Sequence, residues 1–523
     1  MQGTLAWPLE SAARSHGART AVIEGERRLT YRELHERVRR IGAGLDEAGI
    51  APGAVVAVLL ANTLEHLEAW LAVPAYGRVF TSLNTRLAVP ELAATLEDSG
   101  AETLIVDAPN LDAGRSVRER VPGLKRLLFV GVACPEDCEP YESLMAAEGV
   151  APPELDSDAL AVLLYTGGTT GRSKGVMLSH ANILANCKAL WHQDGFTRED
   201  VVLHAPPFFH SAGAQMIHAV TWVGGTHVLT PRFTPEGYVR DVAKHRATVA
   251  FLVPTMINMV LDHLDTHPAD LGSLRLLHYG ASPMSEKQLR RATAALGCEL
   301  VQGYGTSETS PGLTILSPQD HRRALEGDHP ERLGSVGYAL PGVQLEIRDL
   351  DGRPVPDGTV GEVWVRGPNV MLGYLNHPEE TARVLVDGWY RTGDGGYCDE
   401  DGYVFLVDRI KDMIITGGEN VYSLEVERVL DSHPLVREVA VVGVPDERWG
   451  ERVHAVVVTD AGSGLTEAAL IDHCREHIAR YKVPKSVDVR TELLPKSGAG
   501  KILKTVVRRE ARTGGQPVTE TGH

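Results

Sequence analysis

The alternation of strand-like and helical segments constrains this chain most. Short runs of Val, Leu and Ile recur, each followed by a stretch of helical period rich in Ala, Arg and Glu. Val55–Leu60 (VVAVLL) precedes a helical stretch over 62–76, and Leu104–Val106 lies between two more. Strands separated by helices predict α/β layers with largely parallel sheets. From about 334 to 407 the texture changes. Strand-like runs at Gln344–Ile347, Gly361–Val365 and Tyr403–Val407 alternate with Asp-Gly turns at 351–352 and 401–402, which predicts a smaller β-rich subdomain. After the run 408–412 (DRIKD) the pattern restarts as helix (424–432), strand (436–444), strand (453–458) and helix (468–480). A chain of 523 residues is too long for one core, because cores stop growing at roughly 250–300 residues. The expected division is a large N-terminal domain over 1–408, of layered α/β subdomains plus the β-rich one, a smaller mobile α+β C-terminal domain over 409–513, and a disordered tail over 514–523.

Composition removes several classes of function. With 52 Lys+Arg against 69 Asp+Glu the net charge is −17, which disfavours nucleic acid bound through phosphate contacts. A phosphorylated metabolite remains open, since a local patch of lysine and backbone N–H groups suffices. The cysteines are sparse, with only Cys134 and Cys138 close together and no second ligand pair at zinc spacing. Reduced thiols in a cytoplasmic protein are expected. The N-terminus (MQGTLAWPLE) has no apolar h-region, and runs such as Ala54–Ala61 are far short of the ~20 residues that span a bilayer. No membrane span is expected, and the oligomeric expectation is a monomer or homodimer.

The strongest local signal is LYTGGTTGRSKGV, over Leu164–Val176. It follows an apolar strand over 159–164 and precedes a helical stretch from about Ser179. Gly167 and Gly168 let the backbone turn its N–H groups inward, Thr166, Thr169 and Thr170 add hydroxyls, and Lys174 adds a positive charge. That composition suits a phosphate cradle, the alternative being a flexible Gly/Thr surface loop. It is not a P-loop, because Ser173 and not Gly precedes the lysine. Other matches fail on context. His473 to His477 reads H-x-x-E-H, but no third ligand is suggested. Gly280 to Met284 (GASPM) lacks the last glycine of a nucleophile elbow, and Gly303 to Glu308 (GYGTSE) has Glu in place of the third glycine of a dinucleotide fingerprint.

Read together, five segments in order resemble the acyl-adenylate-forming superfamily, which includes acyl-CoA synthetases, luciferases and the adenylation domains of peptide synthetases. YTGGTTGRSKG is similar to its phosphate loop, with Gly168 where Ser is more usual, and GYGTSE to its nucleotide and magnesium motif. Tyr390 to Asp394 (YRTGD) resembles its ribose motif. DRIKD with Gly417 to Asn420 (GGEN) resembles the hinge and the start of the C-terminal domain, and Pro495 to Lys504 (PKSGAGKILK) the catalytic-lysine loop.

The resemblance implies ATP, Mg²⁺ and, as acceptor, CoA. A carboxylate must attack the α-phosphorus of ATP, so two anions meet, and catalysis is mainly positioning and charge neutralisation. By carry-over, the Gly/Thr loop and Lys174 hold the β- and γ-phosphates. Glu308, with Thr166, holds Mg²⁺, Thr306 contacts the α-phosphate, and Lys501 bridges the acid and the α-phosphate. Asp394 and Arg409 hold the ribose. Tyr304, between Gly303 and Gly305, stacks on adenine, with Gly280, Ala281 and Ser282 as the opposite wall. Lys411 is the hinge. Gly417 and Gly418 leave a tunnel for pantetheine, and His210 sits near the acid's carboxylate. The expected acyl pocket draws on 204–215, 254–259, 279–282 and 306–312, whose small and apolar residues suit a hydrophobic or aromatic carboxylic acid. A ligase passing the adenylate to an amine, without CoA, is the alternative.

Overall fold

A computed structural model of the chain describes residues 3–146, 148–166, 173–282, 284–409, 412–416, 419–446, 448–496 and 502–512. Among them, the larger N-terminal sheet has nine strands, in the order Tyr338–Ala339, Gly312–Leu316, Glu299–Gly305, Leu276–Gly280, Val249–Leu252, Val201–His204, Thr226–Leu229, Thr20–Glu24 and Arg27–Thr30. From Glu299–Gly305 to Thr20–Glu24 every pairing is parallel. A second sheet of eight runs Gly373–Tyr374, Lys174–Ser179, Leu160–Thr166, Val79–Ser82, Val55–Leu59, Thr103–Asp107, Arg126–Val130 and Glu139–Pro140. It is parallel from Leu160–Thr166 onward. The layered α/β reading therefore holds.

The helix Leu64–Ala75 joins the two sheets and is buried along its whole length. A helix apolar over most of its circumference needs cover on every side. Trp70 packs on Phe80 of the eight-stranded sheet (ring centroids 4.5 Å apart), and His66 meets Phe208, beyond the strand Val201–His204, edge-on at 5.4 Å. Thr63 caps the helix, so it starts two residues later than the apolar pattern suggested.

Strand order fixes where a ligand can sit. From Val201–His204 the chain goes first to a neighbour on one side, Thr226–Leu229, and then to one on the other, Val249–Leu252. From Val55–Leu59 it does the same, to Val79–Ser82 and then to Thr103–Asp107. Connections diverge at such switch points and leave a crevice at the carboxyl ends of the strands.

The β-rich subdomain is an antiparallel sheet of Gln344–Arg348, Gly361–Arg366, Trp389–Cys398, Leu385–Val386 and Val404–Arg409. Arg348 lies over both Trp364 and Trp389, at 4.7 and 4.4 Å from the ring centroids. The separate C-terminal sheet begins at Ile414–Thr416. That sheet also holds Glu419–Val421, Glu438–Asp446, Gly450–Val458 and Ser486–Arg490, flanked by helices Ser423–Asp431 and Glu467–His477.

Three segments depart from the sequence reading. The helix expected from about Ser179 is His180–Asp194, capped by Ser179, but between it and the Gly/Thr loop lies a strand the sequence did not suggest, Lys174–Ser179, antiparallel to Leu160–Thr166. The expected helix over 468–480 ends at His477, where Ile478 turns extended. A further helix, Lys504–Arg512, packs Val507 into the C-terminal core.

Candidate active site

The carboxyl ends of the parallel strands carry most of the residues singled out above. Gly280 ends the strand Leu276–Gly280 and is the register partner of Gly303, within the neighbouring strand Glu299–Gly305. A Cβ on Gly280 would lie 2.4 Å from the Gly303 carbonyl oxygen, one on Gly303 2.6 Å from His278 Nε2, and one on Gly305 1.6 Å from the Pro311 carbonyl oxygen. The glycines bracketing Tyr304 thus answer first to protein packing, where the sequence suggested the approach of a flat ligand. Ala281 has φ +67°, a left-handed conformation that costs a residue with a Cβ on the order of 1–3 kcal/mol and clusters at functional sites.

Tyr304 and Asp394 meet. The phenol donates to Asp394 Oδ2 at 2.6 Å, which sets the ring's orientation beside the carboxylate. Asp394, on Trp389–Cys398, is the backbone register partner of Arg409, so the two ribose candidates lie side by side.

The loop carrying Gly167, Gly168, Thr169 and Thr170 lies outside the described residues, but its base is defined, with Thr166 and Lys174 as cross-strand partners. Lys174 forms an ion pair with Glu380, and its ammonium sits 5.2 Å from the centroid of the Tyr374 ring. Glu308 follows the strand Glu299–Gly305 in a single 3₁₀ turn, Ser307–Thr309. Tyr374 donates to Glu308 Oε1 at 2.8 Å. Beside it the Thr306 hydroxyl is buried with no hydrogen-bond partner among the described residues. The Glu308 carboxylate is a hard oxygen donor of the kind Mg²⁺ takes, so it fits that ion, and the unsatisfied Thr306 hydroxyl beside it suits an anionic oxygen.

His210 stands at the end of the segment leaving the switch strand Val201–His204. Asn62, buried just beyond the other switch strand Val55–Leu59, clamps this segment. Its Oδ1 accepts from Phe208 N–H at 2.9 Å, and its Nδ2 donates to the carbonyls of Pro206 (2.9 Å) and His204 (3.4 Å). Ser211 Oγ then reaches Ser307 Oγ at 3.3 Å, which ties the His210 segment to the Thr306–Glu308 motif. Tyr279 faces inward, its hydroxyl 2.9 Å from His321 Nε2, so it contributes a ring and not a hydroxyl to any pocket beside it.

Lys501, Lys411, Gly417 and Gly418 lie outside the described residues. Their flanks are informative. Lys496 and Ile502 form a β-bridge, and Leu503 N–H donates to the Pro495 carbonyl at 2.8 Å, so the 497–501 segment is tied at its base. Lys496 pairs with Glu438 at 2.5 Å and Lys504 with Glu427 at 2.7 Å. Both lysines that compete with Lys501 in the sequence have carboxylate partners in their own domain. Thr416 and Glu419, either side of the glycine pair, are also partners. In the H-x-x-E-H stretch, His473 Nε2 lies 3.0 Å from both Ser432 Oγ and the Val429 carbonyl.

Sequence reasoning missed Asn62, Tyr374 and Glu380. None sits in a glycine-rich or otherwise marked motif, and each acts on a residue far away in the chain.

A tyrosine–carboxylate pair, with a glutamate and a lysine joined through Tyr374 at the base of a Gly/Thr loop, suits an enzyme that uses a nucleotide. The chain belongs to the AMP-binding enzyme family, whose model matches residues 9–375, while the model of the AMP-binding enzyme C-terminal domain matches 425–501. Among its relatives, it is 42% identical over 511 residues to a feruloyl-CoA synthase of Amycolatopsis sp., covering 97% of this chain and 99% of that one. It is 36% identical over 496 residues to the indoleacetate–CoA ligase of Aromatoleum aromaticum (94% and 95% covered). The solved structure of the amide bond synthetase McbA from Marinactinospora thermotolerans superimposes with a TM-score of 0.88 at 34% identity, covering 97% of this chain and 100% of that one.

Proposed function

We propose that the chain is an ATP-dependent carboxylic acid:CoA ligase acting on an aromatic acid. The observations behind this reading are that Tyr304 meets Asp394, that Tyr374 joins Lys174 to Glu308, and that Ser307 reaches Ser211 beside His210. The aromatic preference is supported by the feruloyl-CoA and indoleacetate relatives.

The reaction has two halves. The acid's carboxylate attacks the α-phosphorus of ATP and pyrophosphate leaves. The thiol of CoA, losing its proton, then attacks the acyl carbonyl, and AMP leaves. Asp394 and Arg409 hold the ribose hydroxyls, and Tyr304 and the 280–282 wall enclose adenine. Thr166, Gly167, Gly168, Thr169, Thr170 and Lys174 bind the β- and γ-phosphates. Thr306 contacts the α-phosphate, Glu308 with Thr166 holds Mg²⁺, and His210 lies beside the acid. When bound, Mg²⁺ supplies positive charge that offsets the leaving pyrophosphate. Lys501, on the C-terminal domain over 409–513, spans the acid and the α-phosphate in the first half. Rotation at Lys411 then replaces it with the glycine pair 417–418, which admits pantetheine. Such a reorientation needs only a few backbone torsions.

The test is to incubate phenylpropenoic, indole-acetic and aliphatic acids with MgATP, adding CoA or amines separately, and to follow products by mass spectrometry. Aromatic acyl-CoA, AMP and pyrophosphate are expected. Amide without thioester would favour the amine-ligating alternative, which the likeness to McbA keeps in view.

Asn62→Ala offers a second check. It releases the Phe208 N–H and two carbonyls, a loss of about 1–3 kcal/mol for buried groups left unpaired. The expected result is a KM for the acid raised about tenfold with the KM for ATP unchanged. An equal rise in both would mean that the clamp does not act through the acid-side segment.

A further inference from the structure

The strand Gly373–Tyr374 lies between the two motifs that carry the charge of the site. On one side it extends the hairpin of the Gly/Thr loop, pairing Gly373 with Met177 and Tyr374 with Val176, with Leu375 N–H donating to the Gly175 carbonyl at 2.8 Å. On the other side Met371 N–H donates to the Glu308 carbonyl at 2.8 Å, and the Tyr374 hydroxyl donates to Glu308 Oε1 at 2.8 Å. The face of the same ring takes the Lys174 ammonium at 5.2 Å, and Glu380, in the helix that follows, pairs with that ammonium. One buried side chain thus contacts both the cation meant for the phosphates and the carboxylate meant for the metal. The hydroxyl fixes which way the carboxylate faces, and the ring fixes how far the ammonium stands from it.

We propose that Tyr374 is a positioning residue that couples Lys174 to Glu308, so that the lysine and the metal-holding carboxylate are presented together to the triphosphate. This rests on the reading of Lys174 and Glu308 given above. Tyr374→Phe keeps the ring under Lys174 and removes the hydrogen bond to Glu308. A hydrogen bond to a charged group contributes about 1.5–3 kcal/mol, so roughly a tenfold or larger effect is expected on what Glu308 does.

The test is calorimetric binding of a non-hydrolysable ATP analogue across a Mg²⁺ series, with thermal unfolding and the separate KM values for acid and ATP alongside. For Tyr374→Phe the expected result is analogue binding weakened about tenfold at limiting Mg²⁺ and restored at high Mg²⁺. The unfolding temperature and the KM for the acid should stay as in the wild type. Glu380→Gln touches Lys174 and not Glu308, so it should alter affinity without shifting the Mg²⁺ dependence. Binding by Tyr374→Phe that matches the wild type at every Mg²⁺ concentration would overturn the coupling. So would weakening that high Mg²⁺ does not restore, or a Mg²⁺ shift of the same size in Glu380→Gln. Wild-type protein that fails to bind the analogue at all would instead remove the nucleotide reading, and this role with it.

Discussion

Lys501→Ala should lose carboxylate-dependent pyrophosphate exchange by a factor on the order of 10²–10³, equivalent to about 3–4 kcal/mol of transition-state stabilisation. Two anions approach in the first half-reaction, and a cation spanning both acts only when they are in line. It therefore affects kcat more than substrate binding. The same variant should still consume a supplied acyl-adenylate with CoA, because the charge problem is already solved in that intermediate. Lys496 and Ile502, either side of Lys501, pair through their backbones, so the substitution should leave unfolding unchanged. Lys496 and Lys504 are paired with Glu438 and Glu427 and should not substitute for it. Exchange that survives in Lys501→Ala, or equal loss of both half-reactions, would rule out the assignment.

Stability should fall steeply on mild acidification. Burial pushes His66, His180 and His321 down to about 4, and His204 and His218 to about 3, with His227 also well below its ordinary value. These rings are neutral in the folded protein and charge on unfolding. Below the unfolded value near 6.5 the unfolded chain binds more protons, so stability is lost as pH falls, at about 1.4 kcal/mol per pH unit for each ring. The window runs from about 6.5 down to the folded values. Glu68 acts in the opposite sense. Burial raises it to about 7 despite its pairing with Arg37, so between its unfolded value and 7 it offsets about one histidine. Urea unfolding at pH 8, 7, 6 and 5 should show a midpoint that is level at the alkaline end and drops sharply beyond pH 6.5. His218 is the informative variant, since neither ring nitrogen has a hydrogen-bond partner among the described residues. His218→Leu should reduce the acid slope by about one proton. A level profile across this range would mean that these rings do not stay neutral.

Much of the fold was legible because its signals are local. The run Val55–Leu59 became a central strand and Ser179 a helix cap, as apolar runs and short hydroxyl side chains lead one to expect. The strand Lys174–Ser179 was not legible. Its burial is interrupted at Lys174 and Met177, and the glycine-rich segment before it reads equally well as the approach to a helix. The site divides in the same way. Tyr304, Glu308 and Asp394 stand in short motifs whose composition suggests their chemistry, whereas Asn62 and Tyr374 do not.

The sequence by itself determined the residue types and their order: a Gly/Thr loop with a lysine, a tyrosine and a glutamate after a strand, an aspartate in a β-rich segment, and a lysine near the end. Only the tertiary structure decided which of them meet. Tyr304 reaches Asp394 across 90 residues, Tyr374 reaches Glu308 across 66, and Asn62 holds Phe208 across 146. Periodicity and composition act over one or two turns of chain. Strand order is set by how whole sheets bury their faces, and the crevices at the two switch points exist only once that order is complete.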